Sequence, residues 1–264
     1  MVDQHTTQMH SQNSDGLCVR NLSHAYGDEL VLKGIDCSFP RGSLVAVLGP
    51  SGCGKTTLLK ICAGLIAPSS GTVQINGANP VQARSDGIVG FAFQTPTLLP
   101  WRTALENILL PLEILNKEVT AHSRDYARHL LALVGLDDKG DAFPRELSGG
   151  MQQRIGLARA LVTNPSALFL DEPFSDLDPK TRDKLNEKVR QIWQQYTLNM
   201  LFVTHSVPEA VFVADEVMIL SKQPASIVDI VHIDLGEERT HRTKACPEYP
   251  KLVRMIDDIL ERGV

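Results

Sequence analysis

A chain of 264 residues with 43% hydrophobic content carries enough apolar material for one large α/β domain, or for a core with an inserted subdomain. Its 26 Lys+Arg against 31 Asp+Glu give a net charge of −5, which argues against a dedicated nucleic-acid binder, since those carry a basic face. Five scattered cysteines without CxxC spacing indicate neither a disulfide framework nor a zinc site, and point to a reducing compartment.

Met1 to Asp15 is rich in Gln, Ser, Thr and His and has no apolar signal-peptide core. Residues 1–16 are therefore expected to form a disordered leader before an ordered 17–264. From Leu17 onward, strand patterns alternate with helical ones. β-rich runs fall at Leu17–Leu22, Ile35–Phe39, Ser43–Leu48, Thr72–Ile75 and Ile88–Phe93. A second set falls at Ala167–Leu170, Met200–Thr204 and Glu216–Leu220. Leu44–Leu48 and Leu168–Leu170 are apolar throughout, as strands of a parallel sheet buried on both faces should be.

The first of these apolar strands runs into Gly49-Pro50-Ser51-Gly52-Cys53-Gly54-Lys55-Thr56, followed by the helical run Thr57–Leu65. The spacing is G-x-x-x-x-G-K-[ST], and the strand before it and helix after it are the context the motif needs. Glycines let the backbone curl until successive N–H groups point at phosphate oxygens, and the helix start adds favourable dipole. Lys55 is expected at the β- and γ-phosphates and the Thr56 hydroxyl on Mg²⁺. The thiol of Cys53, in this loop near a helix start, is expected to favour thiolate and to be open to alkylation.

Between Leu98 and Val162 the strand signal disappears. His122 to Val134 sets Ala127, Leu130, Leu131 and Val134 on one helical face, and residues 94–162 are expected to form an inserted helical subdomain. Core segments at 17–93 and 163–225 flank it. Leu168-Phe169-Leu170-Asp171-Glu172 then ends an apolar strand in two carboxylates. That places Asp171 near the metal and Glu172, the candidate general base, near the attacking water. The tail, 226–264, adds a β-rich segment at Ser226–Leu235. A last amphipathic helix carries Leu252, Met255, Ile256, Ile259 and Leu260 in register. No apolar run approaches the roughly 18–20 residues needed to span a bilayer.

Leu147-Ser148-Gly149-Gly150-Met151-Gln152-Gln153-Arg154 resembles the LSGGQ signature of ABC ATPases, with Met151 where that motif often has Gln. The resemblance covers about Leu17 to Val264. It implies a P-loop NTPase (RecA-like) α/β core with an inserted all-helical subdomain and a small antiparallel β subdomain. It also implies a homodimer sandwiching two ATP·Mg²⁺, in which Ser148, Gly149 and Gly150 of one chain serve the γ-phosphate held by Gly49–Thr57 of the other. Gln94 resembles the glutamine that touches Mg²⁺ and the water, and His205 the histidine at the γ-phosphate. Tyr26 resembles the aromatic on which adenine stacks. Asp178 matches the carboxylate of a D-loop, in which Asp176 departs from the usual SALD.

Gln94–Thr103, with its Leu-Leu-Pro-Trp-Arg stretch, resembles the nitrate/sulfonate/taurine branch of bacterial ABC importers. The implied function is the ATP-hydrolysing subunit of an importer for a small anion or organic solute, peripheral on the cytoplasmic face of the inner membrane. Integral-membrane permease subunits are the implied direct partners, with Trp101 a candidate contact. An extracytoplasmic solute-binding protein takes part indirectly, and no nucleic acid is involved. An exporter or lipoprotein-release ATPase, or a soluble non-transport ABC ATPase, are the alternative readings. Nitrate, bicarbonate, alkylsulfonates, taurine and pyrimidine precursors of thiamine all remain open as cargo.

Overall fold

The computed structural model describes residues 16–175 and 177–263. The expected leader lies outside the described residues except for Gly16, which begins the first strand, and Asp176 of the D-loop segment lies outside them as well.

The strands form two sheets. β1 (Gly16–Tyr26) pairs antiparallel with β2 (Glu29–Pro40) on one edge and β4 (Ser70–Ile75) on the other. The larger sheet contains β3 (Leu44–Leu48), β5 (Val89–Ala92), β6 (Ala167–Asp171), β7 (Asn199–Val203), β8 (Glu216–Leu220) and β9 (Ile227–His232). Its order is β5-β6-β7-β3-β8-β9, parallel except where β9 runs antiparallel to β8.

The apolar strands read from sequence are the centre of this sheet, and their alternate residues feed two cores. Leu44, Ala46 and Leu48 of β3 join Leu168, Leu170, Met200 and Phe202 on one face. Val45 and Val47 join Phe169, Leu201 and Val203 on the other. A strand's side chains alternate faces, so only a sheet covered on both sides calls for an unbroken apolar run. The second core is closed by α1 (Lys55–Cys62) and the three-stranded sheet.

β1 and β2 run longer than expected, because irregularities hide their alternation. The β1–β2 register shifts between Val19 and Leu22, between Leu22 and His24, and again at Ala25. Gly34 adopts φ +60 within β2, a left-handed conformation that favours glycine.

After α2 (Pro80–Ser85), three helices occupy the stretch without strand signal: α3 (Ala104–Ile114), α4 (Ala121–Leu133) and α5 (Gly149–Leu161). Ala127, Leu130, Leu131 and Val134 are all buried, each leucine contributing about 1.5–3 kcal/mol by leaving water. α3 starts with a reciprocal cap between Thr103 and Glu106. Asn107, fully buried, accepts from Leu99 N and donates to the carbonyls of Leu99, Arg102 and Thr103. It thereby pins the loop that presents Trp101, which is 70% exposed. Gly90 of β5 lets α5 approach closely, since a Cβ there would lie 2.2 Å from the Ala160 carbonyl oxygen.

α6 (Pro179–Tyr196), α7 (Val207–Val213) and α8 (Glu248–Arg262) complete the first core. In α8, Ile256 is fully buried and Leu252, Ile259 and Leu260 pack against the core, as their spacing required. Met255 is a correction, because it lies 40% exposed at the edge of the apolar stripe. The tail is fastened by buried Arg239, which donates to the carbonyls of Val211, Ala214 and Ile233 and to Asp215 Oδ1. Arg190 shares that Asp215 oxygen at 2.9 Å.

Candidate functional site

Open parallel sheets gather ligand chemistry beyond the carboxyl ends of their strands, and three segments leave this sheet there. After β3, the loop Gly49–Gly54 turns through left-handed glycines at Gly52 and Gly54 (φ +77 and +110) and enters α1. Gly54 is the N-cap and offers no side chain to the first turn, so that turn's N–H groups stay available. Lys55 is buried and donates from Nζ to the carbonyls of Gly49 (2.8 Å) and Pro50 (2.9 Å).

After β6 come the two carboxylates. Asp171 Oδ1 accepts a 2.8 Å hydrogen bond from the Thr56 hydroxyl, joining the two motifs across the sheet. Burial pushes the Asp171 carboxyl above its ordinary pKa and the charge of Glu172 adds to the rise, against the Thr56 hydrogen bond. Glu172 stands at φ +43, uncommon for a non-glycine residue, with its backbone N–H held by the Val203 carbonyl. That turn lets Glu172 face the cleft as Asp171 completes the strand. After β7, His205 Nδ1 lies 3.2 Å from Glu172 Oε2.

These segments open on a cleft of ≈ 710 Å³ lined by Ser51, Gly52, Gly54, Lys55, Thr56, Thr57, Gln94, Glu172 and His205, with Tyr26 also on its wall. A hydroxyl and a carboxylate 2.8 Å apart suit a hard divalent cation, which takes one or two protein oxygens and completes its shell with phosphate and water. Among the described residues no group of three or more His, Cys, Asp or Glu could hold a metal by itself.

Not every expected residue stands in this cleft. Ser148 caps α5, accepting from Met151 N at 3.3 Å, and neither it nor Gly149 and Gly150 lines the cleft. Asp178 caps α6 through Thr181 N, and hydrogen bonding from the Thr181 side chain first, then from its backbone, holds its carboxyl below the usual range. It too is outside the cleft lining. Gly150 allows a close approach to the D-loop segment, since a Cβ would lie 2.4 Å from Leu177 Cδ2. The expectation of a reactive Cys53 is overturned. Its side chain is buried in the second core with Sγ beside Gly49, and burial raises the thiol pKa. Desolvation opposes the thiolate more strongly here than Lys55 and the loop N–H groups favour it.

Three cleft-lining residues, Glu29, Val31 and Gln223, went unread in the sequence. So did Arg159 on α5, whose guanidinium donates to the carbonyls of Pro96 (2.5 Å) and Thr97 (3.1 Å), just beyond Gln94. An isolated Glu, Gln or Arg carries no spacing signal, and these roles exist only once distant segments meet.

Residues 32–175 match the family described as ABC transporter. The chain is 38% identical to a bicarbonate transport ATP-binding protein of Synechocystis sp., over 92% of this chain and 88% of that protein. It is 42% identical to an aliphatic sulfonates import ATP-binding protein of Pseudomonas aeruginosa, over 84% of this chain and 88% of that one. A solved dimeric ATP-binding cassette, in a post-hydrolysis state bound to ADP and Pi, superimposes with a TM-score of 0.75 at 28% identity, covering 82% of this chain and 98% of that one. The chain belongs to the ABC transporter family, and its α/β core with a separate antiparallel sheet is the P-loop ATPase cassette fold.

Proposed function

We infer that this ABC transporter chain is the ATP-hydrolysing subunit of an importer for a small anion or organic solute. The observation that carries the reading is the meeting of Lys55, Thr56, Glu172 and His205 around one cleft, to which the Thr56–Asp171 hydrogen bond joins the second carboxylate. The names of the relatives, a bicarbonate transport and an aliphatic sulfonates import ATP-binding protein, support a small anion as cargo.

In this reading the Gly49–Thr57 loop cradles the phosphates through its N–H groups, with Lys55 Nζ turning to the β- and γ-phosphates. Thr56, Asp171 and Gln94 would hold Mg²⁺, which would supply positive charge to neutralise the phosphate oxygens. Glu172 takes a proton from the attacking water as the water oxygen bonds to the γ-phosphorus and the bond to ADP breaks. His205 orients Glu172 through their 3.2 Å contact. Tyr26, 52% exposed, offers its ring to the base.

Ser148–Gly150 lie away from this cleft, and a second copy of the chain brings its own α5 start to the phosphates. The resulting homodimer closes on ATP and opens after hydrolysis, driving a membrane permease between states. In this reading the permease is a partner protein, and no helix among the described residues is long and apolar enough to cross a membrane. Its coupling surface includes Trp101, held out by the Asn107-pinned loop. The subunit sits on the cytoplasmic face of the membrane, and a solute-binding protein feeds the permease from outside.

Co-purification tests the assembly, and hydrolysis by the purified complex tests the chemistry. A multispanning permease together with Mg²⁺-dependent ATPase activity abolished by Lys55→Ala is the expected result. Capture of ribosomes or DNA instead, or full activity in Lys55→Ala, would overturn it.

A further inference from the structure

Part of the cleft has no role in the phosphate chemistry. Tyr26 and Glu29 are the last facing pair of the β1–β2 hairpin, and Val31 lines the wall beside them. Gln223 reaches this corner from the loop after β8, donating from Nε2 to Glu29 Oε1 at 2.7 Å. Its place there is imposed by backbone. Lys33 N donates to the Ala225 carbonyl at 2.9 Å and Ala225 N to the Val31 carbonyl at 2.8 Å. The Tyr26 ring has His24 packed against it edge-to-face at 4.7 Å and 85°. The His24 ring is buried with neither nitrogen partnered, so it acts here as a packing wedge. A base stacked on Tyr26 would have Glu29 and Gln223 beside it, since all three share this wall of the cleft.

We propose that Glu29 and Gln223 read the edge of that base, favouring one that offers an exocyclic amino group over one that offers a carbonyl there. The proposal rests on the ATPase reading and adds base selectivity to it. An amide next to a carboxylate must turn its NH₂ toward it. Gln223 Nε2 has Glu29 Oε1 at 2.7 Å and the Leu30 carbonyl at 3.4 Å, so its donors are committed. What remains facing a base is Gln223 Oε1 and Glu29 Oε2, both acceptors and one of them charged. An amino group can donate to them, whereas a carbonyl meets only acceptors and a negative charge. Both side chains are exposed, which keeps the preference moderate rather than absolute.

The test compares ATP with ITP, which has a carbonyl where ATP has the amino group, using steady-state hydrolysis and competitive nucleotide binding with the full chain. The expected kcat/KM for ATP is about tenfold that for ITP, the scale of one partly exposed charge-assisted hydrogen bond. Glu29→Gln, whose amide can also donate, narrows that ratio several-fold, with the change in KM. Gln223→Ala, which removes one acceptor and frees Glu29, shifts the ratio as well. Equal kcat/KM for ATP and ITP in the unaltered chain, or an unchanged ratio in Glu29→Gln, would overturn the proposal while leaving the ATPase reading intact. Failure to bind or hydrolyse either nucleotide would sink both.

Discussion

Two helices of this chain begin at glycines, and the contrast between them separates what one copy holds from what it needs a partner for. α1 begins inside the cleft, with Gly54 as an N-cap that supplies no side chain; Lys55 is held by the Gly49 and Pro50 carbonyls, and Thr56 is already joined to Asp171. α5 begins outside the cleft, capped by the Ser148 hydroxyl and pressed against Leu177. Both present N–H groups suited to an anion, but only the first has the carboxylates and histidine beside it. On the proposed reading, reaction chemistry belongs to the α1 side and the α5 of a second copy completes the site.

The largest expected effect comes from Glu172→Gln, which should lower hydrolysis by roughly 100-fold or more while keeping ATP bound. Size-exclusion chromatography in ATP should then show a persistent dimer, and near-normal turnover would remove Glu172 from its role. Ser148→Arg should abolish turnover too, yet leave nucleotide binding to the isolated chain intact, because Ser148 does not line that chain's cleft. Mixing it with Lys55→Ala breaks the comparison most directly. One site of the mixed dimer would pair an intact Lys55 with an intact Ser148, so activity should return; two inactive variants that stay inactive together would sink the in-trans assignment.

A change remote from both helix starts should touch stability alone. Arg239→Met strips donors from the carbonyls of Val211, Ala214 and Ile233, and should cost about 2–3 kcal/mol in urea denaturation. Asp171→Asn should act in the opposite sense. Burial raises the folded-state pKa of Asp171, so ionisation opposes folding above that pKa and the penalty is relieved as pH falls toward it. The variant should therefore raise the melting temperature of nucleotide-free protein at neutral pH by about 1–3 °C, with the gain fading at acid pH. Hydrolysis should be lost at the same time. The smallest effect is at Cys53, where brief thiol labelling of folded protein should leave the residue unmodified and activity unchanged.

The phosphate loop was legible because eight contiguous residues specify it, and the central strands because an unbroken apolar run has few other uses. The helical stretch was legible from one face, Ala127 to Val134. What stayed hidden depends on orientation or on distant contact. Nothing in the local sequence says that the Cys53 side chain turns into the core. The β1–β2 hairpin was read too short because its register shifts disturb the alternation. Gln223 meets Glu29 only because Ala225 pairs with β2, and Met255 occupies the edge of a stripe whose width spacing alone does not set.

The Arg159 hydrogen bonds to Pro96 and Thr97 make α5 more than a carrier for Ser148. A helix of this length is a rod about 20 Å long, docked on β5 through the close contact at Gly90. On the proposed reading one end faces the phosphates of a neighbouring copy, and near the other Arg159 grips the stretch of chain between Gln94 and Trp101. Stiff bodies transmit displacement rather than absorb it. A shift of the Ser148 end by a neighbour's nucleotide would therefore be felt at the Trp101 loop in the same stroke, with few soft joints to dissipate it.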